Sequence, residues 1–174
     1  MKKEIIAGTA LAGIGIAALA IATKNKPLET VGHVDLEKYQ GKWYEIAKFP
    51  QGLQKGCTHV TAEYSLCDNG EIKVINGCIK DGKPDIAEGV AIVKDKKTNA
   101  RLSVIARPFS GKNWIIALAP DYSYTIVGHP NRKYLWILSR KPLMDNMTYN
   151  HLVLIAVSKG FDVRKLEKTV QEVM

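Results

Sequence analysis

The chain has 174 residues, of which 46% are hydrophobic and 24% are charged, and this composition excludes a disordered or low-complexity protein. The length suits one globular domain with a hydrophobic core. The formal net charge of +8 raises the question of an anionic partner. Because the basic residues are scattered rather than clustered on one helix, a solvated surface is favoured over nucleic-acid binding, and association with an anionic membrane surface remains compatible.

The first 26 residues form a separate segment. Lys2 and Lys3 precede an uncharged apolar run of 18 residues, Ile5 to Ala22, which ends in small residues. This pattern is typical of an export signal, and its length also permits an uncleaved membrane anchor. We therefore divide the chain into a signal or anchor at 1–26 and a folded domain at 27–174. We expect export to the periplasm or cell envelope, with attachment at the outer membrane or through an uncleaved anchor as alternatives. No cysteine precedes Cys57, so the segment offers no thiol for lipid attachment.

A short helical turn at Asp35–Tyr39 is predicted to lead into Gly41, and beyond it the hydrophobic pattern has a period of two. This alternation, interrupted by turn residues, predicts eight β-strands. They are Trp43–Phe49, Thr58–Leu66, Glu71–Ile79, Ile86–Val93, Ala100–Ala106, Asn113–Pro120, Ser123–His129 and Tyr134–Arg140. Eight consecutive strands with short connections predict an all-β fold, an eight-stranded antiparallel up-and-down barrel whose closure leaves no unpaired edge.

After the last strand the pattern changes to that of a helix. Asp145 or Asn146 is the predicted cap, and Gly160 is the predicted residue just beyond the C-terminus. The predicted apolar face consists of Met147, Leu152, Ile155 and Ala156. We expect this C-terminal α-helix to pack on the outside of the barrel, and Asp162 to cap a second short helix that runs toward Val170.

Small residues recur on the face that alternation places inside the barrel. A hairpin turn at Asp68-Asn69-Gly70 sets Val74 opposite Tyr64 and Asn76 opposite Ala62. The predicted inward residues are Val60, Ala62, Tyr64, Val74, Asn76, Ala87, Gly89, Ala91, Leu102, Val104, Ala106, Ile115, Ala117, Ile126, Tyr134 and Trp136. An eight-stranded barrel is either filled by its side chains or holds one ligand. Because so many of these residues are small, we expect a cavity; the alternative is a core closed by Trp114, Trp136 and other large side chains.

Such a cavity has few polar groups and suits an acyl chain, since each buried methylene contributes about 0.8 kcal/mol. The longest predicted connection, Pro50–Cys57, lies between the first two strands. It is either a lid over the mouth of the barrel or an ordinary surface loop.

The three cysteines have different predicted roles. Cys57 and Cys78 lie at the same end of neighbouring predicted strands and are the disulfide candidates in an exported protein. The simple hairpin register sets Cys78 opposite Val60, so a β-bulge or bend is needed to join them. Cys67, at the opposite end of the hairpin, is predicted to be a free thiol.

Three stretches of the chain resemble the lipocalins: Gly41-Lys42-Trp43-Tyr44, Asp121-Tyr122 and Tyr134–Arg140. The chain also resembles bacterial outer-membrane lipocalins of the Blc type, which are apolipoprotein D-like, and the resemblance covers roughly residues 33–165. The resemblance implies a lipocalin calyx in which Gly41, Trp43 and Arg140 form the structural floor, with the Arg140 guanidinium over the Trp43 ring. It also implies storage or transport of lysophospholipids or fatty acids, without a cofactor, by a monomer or weak homodimer.

Candidate catalytic groups are sparse. The four histidines lack metal-ligand spacing, and no nucleophile-elbow or phosphate-loop motif is present. We therefore expect a binding protein rather than an enzyme, with no metal site. Two alternatives remain open: an enzyme that uses a cavity thiol, for which Cys78 is the inward-facing candidate, and a carrier of haem or a pigment, for which His59 is the one candidate axial ligand.

Overall fold

An antiparallel β-sheet closes into a barrel in the computed structural model, which describes residues 26–106 and 109–171. The strands are β1 Gly41–Lys48, β2 Cys57–Leu66, β3 Ile72–Lys80, β4 Lys83–Val93, β5 Arg101–Ala106, β6 Phe109–Leu118, β7 Tyr124–Gly128, β8 Leu135–Ser139 and β9 Glu167–Lys168; the helices are α1 Leu36–Tyr39 and α2 Asn146–Ser158. Strands β2 to β8 pair in sequence order, and β1 pairs with both β8 and β2. The predicted eight-stranded barrel is confirmed.

The floor of the barrel is a packed cluster around Trp43, which is fully buried. Helix α1 brings the Tyr39 ring within 5.1 Å of the Trp43 ring, and the indole Nε1 donates to the Tyr39 carbonyl at 3.0 Å. The Arg140 guanidinium lies over the Trp43 ring, with its Cζ 3.7 Å from the ring centroid. Gly41 has a φ of +88° where the chain turns into β1, a conformation that glycine adopts without strain. The predicted floor of Gly41, Trp43 and Arg140 is therefore present.

The hairpin registers follow the prediction in β2 and β3, where Leu66 pairs with Ile72 and Tyr64 with Val74. The start of β6 differs from the prediction. The strand predicted from Asn113 begins at Phe109, because β5 and β6 remain paired as far as Ala106 and Phe109.

Helix α2 lies against the outside of the barrel. The Asp145 carboxylate accepts from the Thr148 amide at 2.9 Å, and Gly160 follows the helix with a φ of +84°, so both predicted ends are confirmed. The buried residues of the helix are Leu152, Ala156 and Val157. Met147 was predicted on this buried face but is 83% exposed, because the helical period places it away from the face of Tyr149, Leu152 and Ala156 that packs on the barrel.

The segment after α2 differs most from the expectation. Instead of a second helix reaching toward Val170, a short 3-10 turn at Val163–Lys165 leads into β9. Strand β9 pairs Lys168 with Ala47 and Glu167 with Lys48 on β1. Beyond it, the Gln171 side chain donates to the carbonyls of Glu45 and Val60, so this segment bridges β1 and β2 where those strands separate.

Neither helix among the described residues has the length and apolar character needed to cross a bilayer. The predicted export signal or anchor lies outside the described residues.

Candidate ligand-binding cavity

The barrel encloses a cavity of about 660 Å³ that opens at the end opposite the Trp43 floor. Its mouth is formed by the β1–β2, β3–β4 and β7–β8 connections and by the adjoining ends of β5 and β6, because strands of alternating direction bring every second connection to the same end. The β1–β2 loop, with a 3-10 turn at Gly52–Gln54, contributes Pro50, Gln51, Gly52 and Gln54 to the lining. The β1–β2 loop, which the sequence predicts to be either a lid or an ordinary surface loop, therefore lies at the mouth.

Nine of the predicted inward residues line this cavity: Val60, Ala62, Tyr64, Asn76, Ala87, Val104, Ala106, Tyr134 and Trp136. Four others lie deeper, in the hydrophobic cluster that contains Trp43: Val74, Ala91, Leu102 and Ile115. These four point into the barrel but pack against one another, so the lower part of the barrel is filled and the upper part is open.

Ala117 and Ile126 do not face the cavity. Both belong to the cluster between the barrel wall and α2, where Ala117 pairs with Ile126 across β6 and β7. The prediction was wrong because the β6–β7 register shifts between Ile115 and Ala117, and one extra residue moves every later side chain to the opposite face. Val127, one residue later, lines the cavity instead.

Gly89 is likewise absent from the lining, although it was predicted there as a small inward residue. A Cβ atom at this position would lie 2.5 Å from the Ala106 Cβ and 2.6 Å from the Ile105 carbonyl oxygen. Glycine is therefore required for the close approach of β4 to β5 rather than for the width of the cavity.

A buried ion pair in the cavity wall was missed by the sequence reasoning. The Lys48 Nζ lies 3.1 Å from the Glu45 Oε1, and their side chains are 9% and 3% exposed. The Thr169 hydroxyl donates to the same carboxylate oxygen at 2.6 Å. Alternation from the inward Trp43 places Glu45 inward and Lys48 outward, but the register shift between Glu45 and Ala47 brings Lys48 to the same side as Glu45. Glu45 lines the cavity and adds a carboxylate to a lining that also contains the amides of Asn76 and Asn113.

The mouth presents further polar groups that have no partner within the described residues. The Gln51 Nε2 and the Gln54 Oε1 are buried and lack a hydrogen bond there. Because leaving such groups unpaired costs free energy, they are suited to a ligand or to water. The sequence gives one indication of their role, since Gln51 and Gln54 both lie in the connection Pro50–Cys57 that was proposed as a lid.

An aromatic group forms the opposite side of the mouth. The Tyr134 ring stacks 6.3 Å from the Trp136 ring and meets the His129 ring edge-on at 5.8 Å. Burial lowers the pKa of His129, and the nearby Lys112 lowers it further, while the Asn131 amide donates to its Nδ1 at 3.1 Å. The imidazole is therefore neutral at pH 7. Lower in the cavity, burial raises the pKa of Tyr64 to about 12, so its hydroxyl is protonated.

The Cys57–Cys78 disulfide is present and lines the cavity, with a Cα–Cα distance of 5.6 Å. The predicted bulge is found beside it: the β2–β3 register shifts between Thr58 and Thr61, and His59 has a φ of +52°. Cys67 is a free, exposed cysteine at the closed end, as predicted.

Within residues 26–106 and 109–171, no group of His, Cys, Asp and Glu side chains is arranged to hold a metal ion.

Comparison with known proteins agrees with this geometry. The family described as a lipocalin-like domain matches residues 34–171. The chain is 40% identical over 159 residues to temperature-induced lipocalin-1 of Arabidopsis thaliana, and the match covers 86% of each chain. It is 36% identical over 171 residues to the outer membrane lipoprotein Blc of Escherichia coli K12, and that match covers 95% of each chain. Among solved structures, insecticyanin from the tobacco hornworm Manduca sexta superposes with a TM-score of 0.66 at 21% identity, covering 82% of this chain and 83% of that one. The chain belongs to the lipocalin-like family.

Proposed function

We propose that this protein binds single-chain lipids, fatty acids or lysophospholipids, with the acyl chain in the barrel and the polar end at the mouth. The observation that carries the proposal is the gradient of polarity along the cavity. Its inner part is lined by apolar residues such as Ala62, Val104 and Leu138, and its mouth by the polar side chains of Gln51, Gln54 and His129. A ligand with one apolar and one polar end matches this gradient.

Size and energetics support the same class of ligand. A volume of about 660 Å³ lies within the range of about 300–1,000 Å³ that is usual for small-molecule sites. Each methylene moved from water into the apolar wall contributes about 0.8 kcal/mol, and a long acyl chain thereby exceeds the cost of ordering the ligand.

The proposed role is to store or carry such lipids in the cell envelope. The N-terminal apolar run of the sequence, Ile5 to Ala22, supports export. The similarity to an Escherichia coli outer membrane lipoprotein supports the same compartment.

We propose binding rather than catalysis. The enzymatic alternative needs a free thiol in the cavity, but Cys78 is joined to Cys57, and Cys67 lies on the outside of the closed end. The phenol of Tyr64 is protonated and serves as a neutral donor rather than a base.

Native mass spectrometry of the purified protein tests the proposal, with a fluorescent fatty acid titrated into delipidated protein. We expect a lipid mass in the first experiment and saturable binding in the second. Ala87 lines the cavity and the neighbouring Ile86 points outward, 64% exposed, so Ala87→Phe and Ile86→Phe form a matched pair on β4. Ala87→Phe should weaken binding by about tenfold or more, whereas Ile86→Phe should not. Equal affinity of the two variants, in proteins that remain folded, would refute the assignment of the cavity.

A further inference from the structure

We propose that the open end of the barrel docks onto an anionic lipid bilayer, so that the cavity exchanges its ligand directly with the membrane. This inference extends the proposed function by naming the surface that supplies or receives the lipid. The inference rests on the positive charge at the mouth, and this charge does not depend on which ligand the cavity binds.

Five lysines surround the mouth, and we call them the basic rim: Lys55, Lys80, Lys83, Lys112 and Lys133. They come from the β1–β2 loop, the β3–β4 turn, the first half of β6 and the β7–β8 connection, so they approach the mouth from several sides. Four are exposed and Lys80 is half-buried. None of the five forms an ion pair within the described part of the chain.

Few acidic side chains offset the basic rim. The exposed carboxylates in the same connections are Asp81 and Asp85, on either side of the β3–β4 turn. At the closed end the balance is different, because acidic residues there lie among the lysines: Asp35, Glu37, Asp68, Glu71, Asp95 and Asp121. At the mouth five lysines therefore stand against two carboxylates, and this local excess of positive charge attracts anionic headgroups within about a Debye length of the surface.

Apolar side chains lie in the same region. Ile86 is 64% exposed and Tyr134 is 41% exposed, the latter with its ring at the edge of the cavity. Val170 is 51% exposed and follows β9 beside β2. Aromatic and aliphatic side chains among lysines are the combination that settles at the headgroup level of a bilayer.

The position of residue 26 provides a second, independent argument. The Lys26 carbonyl accepts from the Arg132 Nη2 at 2.7 Å, and Arg132 lies in the β7–β8 connection at the mouth. The chain then runs along the barrel to α1 at the closed end, with the Val31 amide bonded to Ile115 and the Val34 amide to Thr98. Lys26 therefore lies at the mouth side, and the predicted N-terminal signal or anchor is continuous in sequence with this end of the barrel.

The test compares two triple variants of the full chain that change the net charge equally. Lys80→Glu, Lys83→Glu and Lys112→Glu reverse the basic rim; Lys94→Glu, Lys96→Glu and Lys97→Glu reverse three lysines in the β4–β5 connection at the closed end. Each protein is added to vesicles of phosphatidylcholine, alone or mixed with phosphatidylglycerol, that carry a fluorescent fatty acid. Vesicle binding by flotation and the rate of fatty-acid transfer are measured at low and high salt.

We expect the rim variant to lose about tenfold or more of both binding and transfer with phosphatidylglycerol vesicles, and the closed-end variant to resemble the wild type. High salt should reduce the wild type to the level of the rim variant. Equal losses in both variants would show that only net charge matters, and no loss in either would show that the basic rim does not dock; both results overturn the proposal. Fatty-acid binding without vesicles reports on the proposed function separately, since neither triple variant alters the apolar cavity wall.

Discussion

The Arg140 guanidinium carbon lies 3.7 Å from the centroid of the Trp43 ring, and its nitrogens donate to the carbonyls of Lys38, Lys42 and Tyr39. One side chain thus stacks on the floor tryptophan and also ties α1 to the first residues of β1. Burial lowers the pKa of Arg140, but a guanidinium still carries its charge at neutral pH. The contact joins residues 97 positions apart in the sequence and holds the closed end together.

Replacing Arg140 by lysine should destabilise the protein by about 2–4 kcal/mol, because an ammonium group cannot stack flat on the indole while donating to three carbonyls. Chemical denaturation measures this change. Arg101 offers a control, since its Cζ lies 4.6 Å from the Trp114 ring on the outer surface and its side chain is 44% exposed. Arg101→Lys should cost well under 1 kcal/mol, and a similar cost for both variants would contradict a special role for Arg140 at the floor.

The buried ion pair of Glu45 and Lys48 predicts that a double variant is more stable than a variant that lacks Glu45 alone. Glu45→Leu leaves the Lys48 ammonium buried without its carboxylate and should cost about 3–5 kcal/mol. Adding Lys48→Met removes the unpaired charge and should restore most of that loss. The exposed pair of Lys73 and Glu88, at 3.1 Å, is the comparison, and Glu88→Gln should change the unfolding free energy by less than about 1 kcal/mol. Additive effects of the two substitutions at the buried pair would argue against their coupling.

Removing the disulfide should lower stability without abolishing the fold. Cys57 and Cys78 are 21 residues apart, so loop closure in the unfolded chain predicts a loss of about 3 kcal/mol for Cys57→Ala with Cys78→Ala. Cys67→Ala is the control and should leave the unfolding free energy unchanged, because that side chain is exposed. Iodoacetamide should label one thiol in the native, unreduced protein and three after reduction in denaturant. Labelling of all three in the native protein would rule out the bond.

The pH dependence of stability should carry a contribution from His129. Burial lowers the pKa of His129 in the folded protein below the value of about 6.5 expected in the unfolded chain. At a pH between these two pKa values, the unfolded chain binds more protons than the folded one. Stability should therefore fall as the pH drops below about 6.5 and level off once the folded histidine is protonated. His129→Asn keeps an acceptor for the Asn131 amide without titrating, and should flatten this part of the melting-temperature profile. The exposed His151→Asn is the control, and an equal flattening by both would contradict the assignment.

Alternation and turn residues were sufficient to predict the eight barrel strands, since one buried face leaves a period of two in the sequence. The floor was predictable because tryptophan, glycine and arginine occur in a family pattern. The faces after a register shift were not predictable, since a β-bulge leaves no mark in a local hydrophobic pattern. For this reason Ala117 and Ile126 were placed inside, and the position of Lys48 beside Glu45 was missed. Strand β9 is only two residues long, and pairing with β1 rather than local propensity determines its conformation.

The closure of the wall by residues 167–171 also constrains when the barrel can be completed. The Thr169 hydroxyl reaches Glu45 across 124 positions, and the Gln171 amide reaches Val60 across 111. Contacts so distant in the sequence require a long loop to close, and they are therefore expected to slow folding. Strands β1 and β2 pair directly only over Gly41–Tyr44 and Thr61–Tyr64. The gap beyond Tyr44 is bridged by residues close to the C-terminus, so a chain emerging from the ribosome cannot close this part of the wall until nearly all of it has been made.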